Sequence, residues 1–170
     1  KVGQSLGLLF IDKGYPLTGF YTRHMDSCVI DARLSKISLY PDLSKIVNDS
    51  DIVGITVPDD QIDLVVTEIG NLPVDVTKKF FFHTSGAHNI ESLRKISPKV
   101  FSMHPLRAFP EVISNIQGFD AIYFGIENLN IFEETGFNQV TTHYFEIQSD
   151  QKAKYHAAAA IVSNYLVAVI

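Results

Sequence analysis

The sequence predicts an α/β fold built on a doubly wound, mostly parallel sheet. The run at residues 51–57, which is rich in β-branched residues and bounded by Pro58, and the three phenylalanines at 80–82 are typical of strands that are buried on both faces. These runs alternate with segments of helical spacing over connections of about 2 to 6 residues, the order that right-handed crossovers produce. Hydrophobic residues make up 46% of the 170 residues and charged residues 19%, so the chain can bury a sizeable core.

The first half of the chain begins with a predicted helix over residues 2–13. Leu6 and Phe10 recur at helical spacing, and Gly14 and Pro16 end the pattern because proline cannot continue a helix. We then expect a strand, a polar helix, a short extended segment, a helix, the buried strand and another helix, over residues 17–22, 25–34, 37–39, 41–48, 51–57 and 59–70.

The second half repeats the alternation and then changes composition. We predict strands over residues 80–82, 100–103, 121–126 and 143–147, and helices over residues 89–96 and 129–135. From Asp150 an alanine-rich helix begins. We therefore expect residues 1–149 to form one domain whose first strand precedes Lys1, and residues 150–170 to be the first helix of a second, helical domain.

Charge and composition exclude several function classes. The 14 Lys and Arg against 19 Asp and Glu give a net charge of −5 with no basic cluster, which argues against nucleic acid as a partner. Cys28 is the single cysteine, which rules out an internal disulfide and fits a cytoplasmic protein. The histidines lack metal-ligand spacing with acidic residues, so no metal is predicted. The longest apolar stretch, residues 157–170, is shorter than the roughly 18 residues of a membrane span.

The carboxyl ends of the predicted strands carry the residues with chemical potential. Ligands of open parallel sheets bind at this edge. Five of these positions are candidate cofactor-binding residues: Thr22, Arg23, His24, Val57 and Pro58. Ser85 follows the next strand and His104 the one after it. Such a concentration of polar groups predicts a ligand site.

Gly3 and Arg23 bear on the type of ligand. Gly3 lies four residues before Gly7, and it fits the third glycine of a G-x-G-x-x-G dinucleotide fingerprint, although both glycines could serve packing alone. Thr22, Arg23 and His24 offer cationic and hydroxyl groups where an NAD-binding strand would carry a carboxylate, which favours the 2′-phosphate of NADP. The alternative is a solvated arginine in a turn.

Several motifs occur in an order that resembles a bacterial family. They are Thr56-Val57-Pro58-Asp59-Asp60, His83-Thr84-Ser85-Gly86-Ala87, Met103-His104-Pro105-Leu106 with Phe109, and Lys152 followed by Tyr155-His156-Ala157-Ala158-Ala159 and Ser163-Asn164-Tyr165-Leu166. The family joins a Rossmann-like domain to a C-terminal domain of unknown function (DUF2520), within the 6-phosphogluconate dehydrogenase-like group. This resemblance implies an NADP-dependent oxidoreductase whose helical domain closes the active site and forms a homodimer.

Three residues are candidates for catalysis. His104 precedes Pro105 and has a reference pKa near working pH, so it is the first candidate for proton transfer; the alternative is a histidine that bonds to backbone. His156 and Asn164 share one helical face and could line the cleft or bond within the core. His156 stands where related dehydrogenases carry a lysine. Lys152 could replace it, although a solvated lysine at a helix start is commoner.

Two functions compete at this point. One is an NADP(H)-dependent oxidoreductase that transfers a hydride to or from a small carbonyl or imine substrate, in which Ser85 could bond to the nicotinamide amide or to substrate. The other is a non-catalytic NADP-binding regulatory or sensor protein. Arg23 and the glycine turn would serve both. An oligomerisation module is a third possibility, suggested by the alanine-rich helix.

Overall fold

A computed structural model describes residues 1–24, 30–113, 117–141 and 143–165. The helices are α1 Val2–Asp12, α2 Leu43–Asp49, α3 Ile62–Gly70, α4 Gln117–Asp120, α5 Leu129–Glu134 and α6 Lys152–Tyr165. The strands are β1 Gly19–Phe20, β2 Ser38–Leu39, β3 Ile52–Ile55, β4 Phe80–His83, β5 Val100–Pro105, β6 Phe124–Glu127 and β7 Tyr144–Glu146. Cys28 lies outside the described residues.

The predicted α/β fold with a mostly parallel sheet is confirmed. β1 and β2 form a parallel pair, and the remaining strands form a five-stranded sheet in the order β3-β4-β5-β6-β7. All neighbours in this sheet are parallel except β5 and β6. β6 runs antiparallel to β5, and the described chain between them contains the four-residue α4.

Two predicted helices are wrong where the structure describes them. Residues 25–29 of the expected helix 25–34 lie outside the described residues, and the remainder holds a 3₁₀ turn, Ala32–Leu34, capped by the Asp31 carboxylate. The expected helix 89–96 is replaced by turns and the 3₁₀ segment Leu93–Lys95. In both segments side-chain capping bonds and tertiary contacts prevail over helix propensity.

The core lies on both faces of the five-stranded sheet. Adjacent residues of β4 point in opposite directions: Phe81 packs with Val66 and Leu93 on one face, and Phe82 packs with Phe101 and Phe124 on the other. Phe81 and Phe82 thus have the doubly buried environment predicted for the run 80–82. The run 51–57 has it only in part, because β3 is an edge strand of this sheet and Gly54 in it is exposed. Among the described residues, no helix is long and apolar enough to cross a membrane.

Glycines bring α1 close to the strands beside it. A Cβ atom on Gly3 would collide with the side chain of Thr56, directly after β3, and one on Gly7 would lie 2.7 Å from the ring of Phe20 in β1. Helix α1 can therefore lie against both strands. This close approach agrees with the packing expected of a third fingerprint glycine, and equally with a role in packing alone.

Candidate functional site

The loop after β4 is fixed by Ser85. Its hydroxyl donates to Oδ2 of Asp59 at 2.6 Å and accepts from the backbone N–H groups of Ala87 (3.2 Å) and His88 (2.9 Å). Asp59 begins the turn that leads into α3, so this bond joins the segment after β3 to the segment after β4. Ser85 thus links two segments at the edge of the sheet where a ligand is expected.

A buried ion pair ties α6 to the same loop. Nζ of Lys152 lies 3.1 Å from Oε2 of Glu127 and donates to Oγ of Ser102 (2.7 Å) and to the carbonyl of Ser85 (3.2 Å). Oε1 of Glu127 accepts from the hydroxyl of Ser149 at 2.6 Å and from the backbone N–H of Ile90 at 3.3 Å. The exposure of Lys152 is 1% and that of Glu127 is 2%.

Lys152 is therefore not the solvated lysine that its position suggested. Burial lowers its pKa, and the carboxylate of Glu127 opposes that shift. A charge removed from water is tolerated when it is paired and its remaining hydrogen-bonding positions are filled, as they are here. The lysine holds the start of α6 against β5, β6 and the Ser85 carbonyl.

His83 serves the fold rather than a ligand. Nε2 lies 3.2 Å from the carbonyl of Asn89, and Nδ1 accepts from the backbone N–H of Ser85 at 3.3 Å. Burial and then the nearby charge of Lys152 lower the pKa of His83 to about 3, so its ring is neutral at pH 7. These bonds to the Asn89 and Ser85 backbone make His83 a structural residue.

His104, Tyr155 and His156 gather around Gly86. Nδ1 of His104 lies 2.8 Å from the hydroxyl of Tyr155. The rings of His104 and His156 are 5.7 Å apart between centroids. A Cβ atom on Gly86 would lie 2.7 Å from Nε2 of His104 and 2.5 Å from Nδ1 of His156, so both nitrogens face this glycine. Nδ1 of His156 is buried without a described hydrogen-bond partner.

The environment of His104 suppresses its positive charge. Burial, then the neighbouring His156 and Lys152, lower its pKa to about 4, while Asp59 acts in the opposite direction. The expectation that this histidine titrates near working pH is therefore wrong, because its reference value applies to a hydrated ring. The alternative of a bond from His104 to backbone is not what the structure shows, since its partner is a side chain.

The other predicted cofactor residues form a second group, which we call the outer end of the expected site: Thr22, Arg23, His24, Val57 and Pro58. Arg23 pairs with Glu68 of α3 at 2.9 Å, and both side chains are more than a third exposed. The hydroxyl of Thr22 accepts from the backbone N–H of His24 at 3.3 Å. Val57 packs at the margin of the core, and the carbonyl of Pro58 accepts from Gln61 in the turn that precedes α3.

The structure thus brings His104, His156 and Ser85 into one region with three residues that sequence reasoning did not place there. These are Asp59, Glu127 and Tyr155, together with the misjudged Lys152. Asn164 belongs to α6, but its side chain lies outside what the structure describes. Tyr155 directly precedes His156 in the sequence, and this adjacency could have suggested it as a site residue. No sequence pattern near Glu127 indicated its role. No described group of three or more His, Cys, Asp or Glu could hold a metal ion.

Comparisons with known structures place the fold. A protein of Thermotoga maritima is 30% identical over 71% of this chain and 46% of its own, with a TM-score of 0.56. A candidate NADP oxidoreductase of Bacteroides fragilis is 17% identical over 99% and 65% of the two chains, with a TM-score of 0.75. An imine reductase of Myxococcus stipitatus, solved in complex with NADP⁺, is 14% identical over 97% and 58%, with a TM-score of 0.69.

The chain has a Rossmann-type fold like these proteins, and it spans about half to two thirds of the length of each. Residues 125–170 match the family described as a domain of unknown function (DUF2520). The resemblance inferred from the sequence motifs is confirmed. No curated protein gives a significant match to the chain.

Proposed function

We propose that the protein is an NADP(H)-dependent oxidoreductase that transfers a hydride between the nicotinamide and a small carbonyl or imine substrate. The observation that carries this proposal is His104, whose Nδ1 is bonded to Tyr155 while Nε2 faces Gly86 at the carboxyl edge of the sheet. Open α/β sheets bind ligands at this edge, and a strongly perturbed histidine there is a candidate for proton chemistry.

The residues on this edge fit a dinucleotide. Gly3 allows the start of α1 to lie directly on the end of β3, which suits a pyrophosphate at the helix N-terminus. Thr22, Arg23 and His24 would take the ribose phosphate, Val57 and Pro58 would flank the cofactor, and Ser85 would lie near the nicotinamide. The bound nicotinamide would supply or accept the hydride.

The protein's own contribution is to hold and move a proton. When the substrate carbon gains a hydride, its oxygen or nitrogen must gain a proton. Nε2–H of His104 would donate to that atom while the Tyr155 hydroxyl passes its proton to Nδ1, so the ring stays neutral. Water would then return a proton to the Tyr155 oxygen. His156 and Asn164 would orient the substrate from α6.

The reaction is tested by NADPH oxidation across keto acids, imines and deazaflavins with the full-length protein. We expect turnover that His104→Ala abolishes while NADPH binding, measured by fluorescence titration, survives. His143→Ala is the matched control, because this histidine lies before β7 and outside the cluster around Gly86. Tight NADPH binding without turnover on any substrate would contradict the proposal and favour a sensor.

The choice of cofactor is tested at Arg23. Loss of a charge-assisted contact to the 2′-phosphate should weaken NADPH binding by roughly 1.5–3 kcal/mol in Arg23→Ala, with little change for NADH. Because Glu68 holds Arg23 at 2.9 Å, Glu68→Gln should free the guanidinium and tighten NADPH binding. Equal losses for both cofactors in Arg23→Ala would overturn the assignment of NADP.

A further inference from the structure

His104 lies in a row of three residues that crosses the sheet. In the antiparallel pairing of β5 and β6, His104 is opposite Gly125, and in the parallel pairing of β6 and β7, Gly125 is opposite Phe145. The ring of Tyr155 lies over this row. Its centroid is 5.6 Å from that of His104 and 5.9 Å from that of Phe145, with both pairs edge-to-face.

Gly125 has no side chain, and this allows the ring of Tyr155 to contact His104. A Cβ atom at this position would lie 2.8 Å from the Tyr155 hydroxyl oxygen and 3.1 Å from Cζ. The absence of a side chain in the middle of the row therefore lets the phenol cross β6 and bring its hydroxyl within 2.8 Å of Nδ1. The contact is built from three strands and a helix.

We propose that Tyr155 is a positioning residue: its hydroxyl donates to Nδ1 of His104 and so holds the ring as the tautomer whose proton is on Nε2, facing Gly86. The tautomer itself is a property of the fold. Its consequence for turnover rests on the proposed function.

The direction of this hydrogen bond follows from what each atom can do. A phenol hydroxyl has one proton, and the described atom that can accept it is Nδ1 of His104, 2.8 Å away, if that nitrogen carries no proton. If Nδ1–H donated instead, the partly buried hydroxyl proton would be left without a described acceptor, which is unfavourable. Donation by Tyr155 satisfies both atoms and leaves the second proton of the pair on Nε2.

The electrostatic environment supports the same arrangement. Burial raises the pKa of Tyr155 to about 12, so the phenol keeps its proton. The lowered pKa of His104 leaves the ring neutral, with a single N–H to place. The groups that act on the ring are His156 and Lys152 from α6 and Asp59 from the turn before α3, and the two from α6 disfavour a second proton.

The orientation matters because Nε2 is the His104 nitrogen that faces Gly86 and His156. With the proton on Nε2, His104 presents a donor beside Nδ1 of His156, a buried atom without a described partner. With the proton on Nδ1, the same position would present an acceptor and could not donate to a substrate oxygen or nitrogen. Tyr155 thus selects the form of His104 that the proposed reaction needs.

Nitrogen NMR of the full-length protein labelled with ¹⁵N-histidine tests the tautomer without any turnover. The His104 signals are assigned by their loss in His104→Ala. We expect a protonated Nε2 and an unprotonated Nδ1 at pH 7, and a shift of the tautomer ratio toward Nδ1–H by about fivefold in Tyr155→Phe. Tyr144→Phe is the matched control. Tyr144 lies on β7 and its hydroxyl is 3.4 Å from Oε1 of Glu133, so its removal should leave the His104 signals unchanged.

A proton on Nδ1 in the unmodified protein would overturn the proposal, and this result does not depend on whether any variant folds. Unchanged His104 signals in a folded Tyr155→Phe protein would overturn it as well. With a substrate in hand, Tyr155→Phe should lower kcat about fivefold to tenfold with KM for NADPH unchanged. Absence of turnover on every substrate would contradict the proposed function alone, since the NMR result would stand.

Discussion

The two ends of the candidate site differ in how they are held. Around Gly86, side chains from β5, β6, α6 and the loop after β4 are buried and joined by bonds between residues far apart in sequence, such as Lys152 to Ser102. At the outer end, Arg23 is exposed and its described partner is Glu68 on the surface of α3. Perturbed pKa values occur at the first end because desolvation is strong there.

This difference assigns different tasks to the two ends. A buried cluster that is held by hydrogen bonds and an ion pair fixes geometry and shifts protonation equilibria, which suits chemistry. An exposed arginine can exchange a surface carboxylate for a phosphate with little disturbance of the fold, which suits binding. Substitutions should therefore be costly to stability at the inner end, which is the buried cluster around Gly86, and nearly neutral at the outer end.

The largest effect is expected from Lys152→Met. Removal of the ammonium leaves the Glu127 carboxylate buried without its ion-pair partner, and the loss of a buried partner costs about 3–5 kcal/mol of unfolding free energy. Lys154→Met is the matched control, because Lys154 is exposed on the same helix and should change stability by less than about 0.5 kcal/mol. Chemical denaturation measures both.

The double variant Lys152→Met with Glu127→Gln sharpens this test. It removes both charges, so it should recover part of the loss seen in the single variant. A double variant that is less stable than the sum of its single variants would show that the network contributes mainly through its hydrogen bonds.

Acidification should destabilise the protein before its carboxylates titrate. The folded-state pKa values of His83 and His104, about 3 and about 4, lie below the value of 6.5 for a hydrated ring, so the unfolded chain binds more protons below pH 6.5. Their contribution to stability is present above pH 6.5 and is lost as the pH falls. Between pH 7 and 5 we expect a loss of about 2–4 kcal/mol, at roughly 1.4 kcal/mol per pKa unit and histidine.

The histidine variants identify the source of that pH dependence. His83→Gln and His104→Gln should each flatten the decline between pH 6.5 and 5, as measured by urea denaturation at a series of pH values. If both variants keep the slope of the unmodified protein, other groups are responsible. The Asp31 carboxylate, whose bonds with Arg33 lower its pKa to about 2, acts only at more acidic pH.

A methyl group at Gly86 should disturb the inner end more mildly. Gly86→Ala places Cβ against His156 and His104 at distances that real contacts do not show, so one of the rings must move. Overpacking of this kind costs about 1–3 kcal/mol. Gly70→Ala is the control, since its nearest contact would be Cγ2 of Ile96 at 3.2 Å, a milder approach than the two at Gly86. Equal stability of the two variants would mean that Gly86 does not constrain the rings.

Local pattern predicted much of the fold, because strands β3, β4 and β5 are apolar runs whose boundaries are set by nearby residues. It also predicted that His104 and Ser85 would share an edge, since the ends of parallel strands meet there. The burial of Lys152 could not be predicted in this way. It depends on Glu127, which lies in β6, and on which face of α6 packs against the sheet. No residue near Lys152 in the sequence indicates either.

The same limit applies to protonation. The reference pKa of histidine gave no hint that the pKa of His104 is lowered to about 4, because the shift comes from burial and from neighbours on α6. The expected helix at residues 89–96 was wrong for a related reason. The Asn89 carbonyl, which would accept the first bond of such a helix, lies 3.2 Å from Nε2 of His83, and this contact with a residue outside the segment carried no local signal.

The smallest stability effect is expected at the outer end. Arg23→Ala removes an exposed ion pair with Glu68, and such pairs contribute about 0–1 kcal/mol. Arg33→Ala is the matched comparison. Arg33 binds both oxygens of Asp31 at 2.8 Å and also donates to the carbonyl of Ile113, so its removal should cost more. Urea denaturation of both variants measures the difference. A loss above about 2 kcal/mol in Arg23→Ala would mean that the outer end is held as firmly as the inner one, and an arginine so constrained could not exchange its carboxylate for a phosphate.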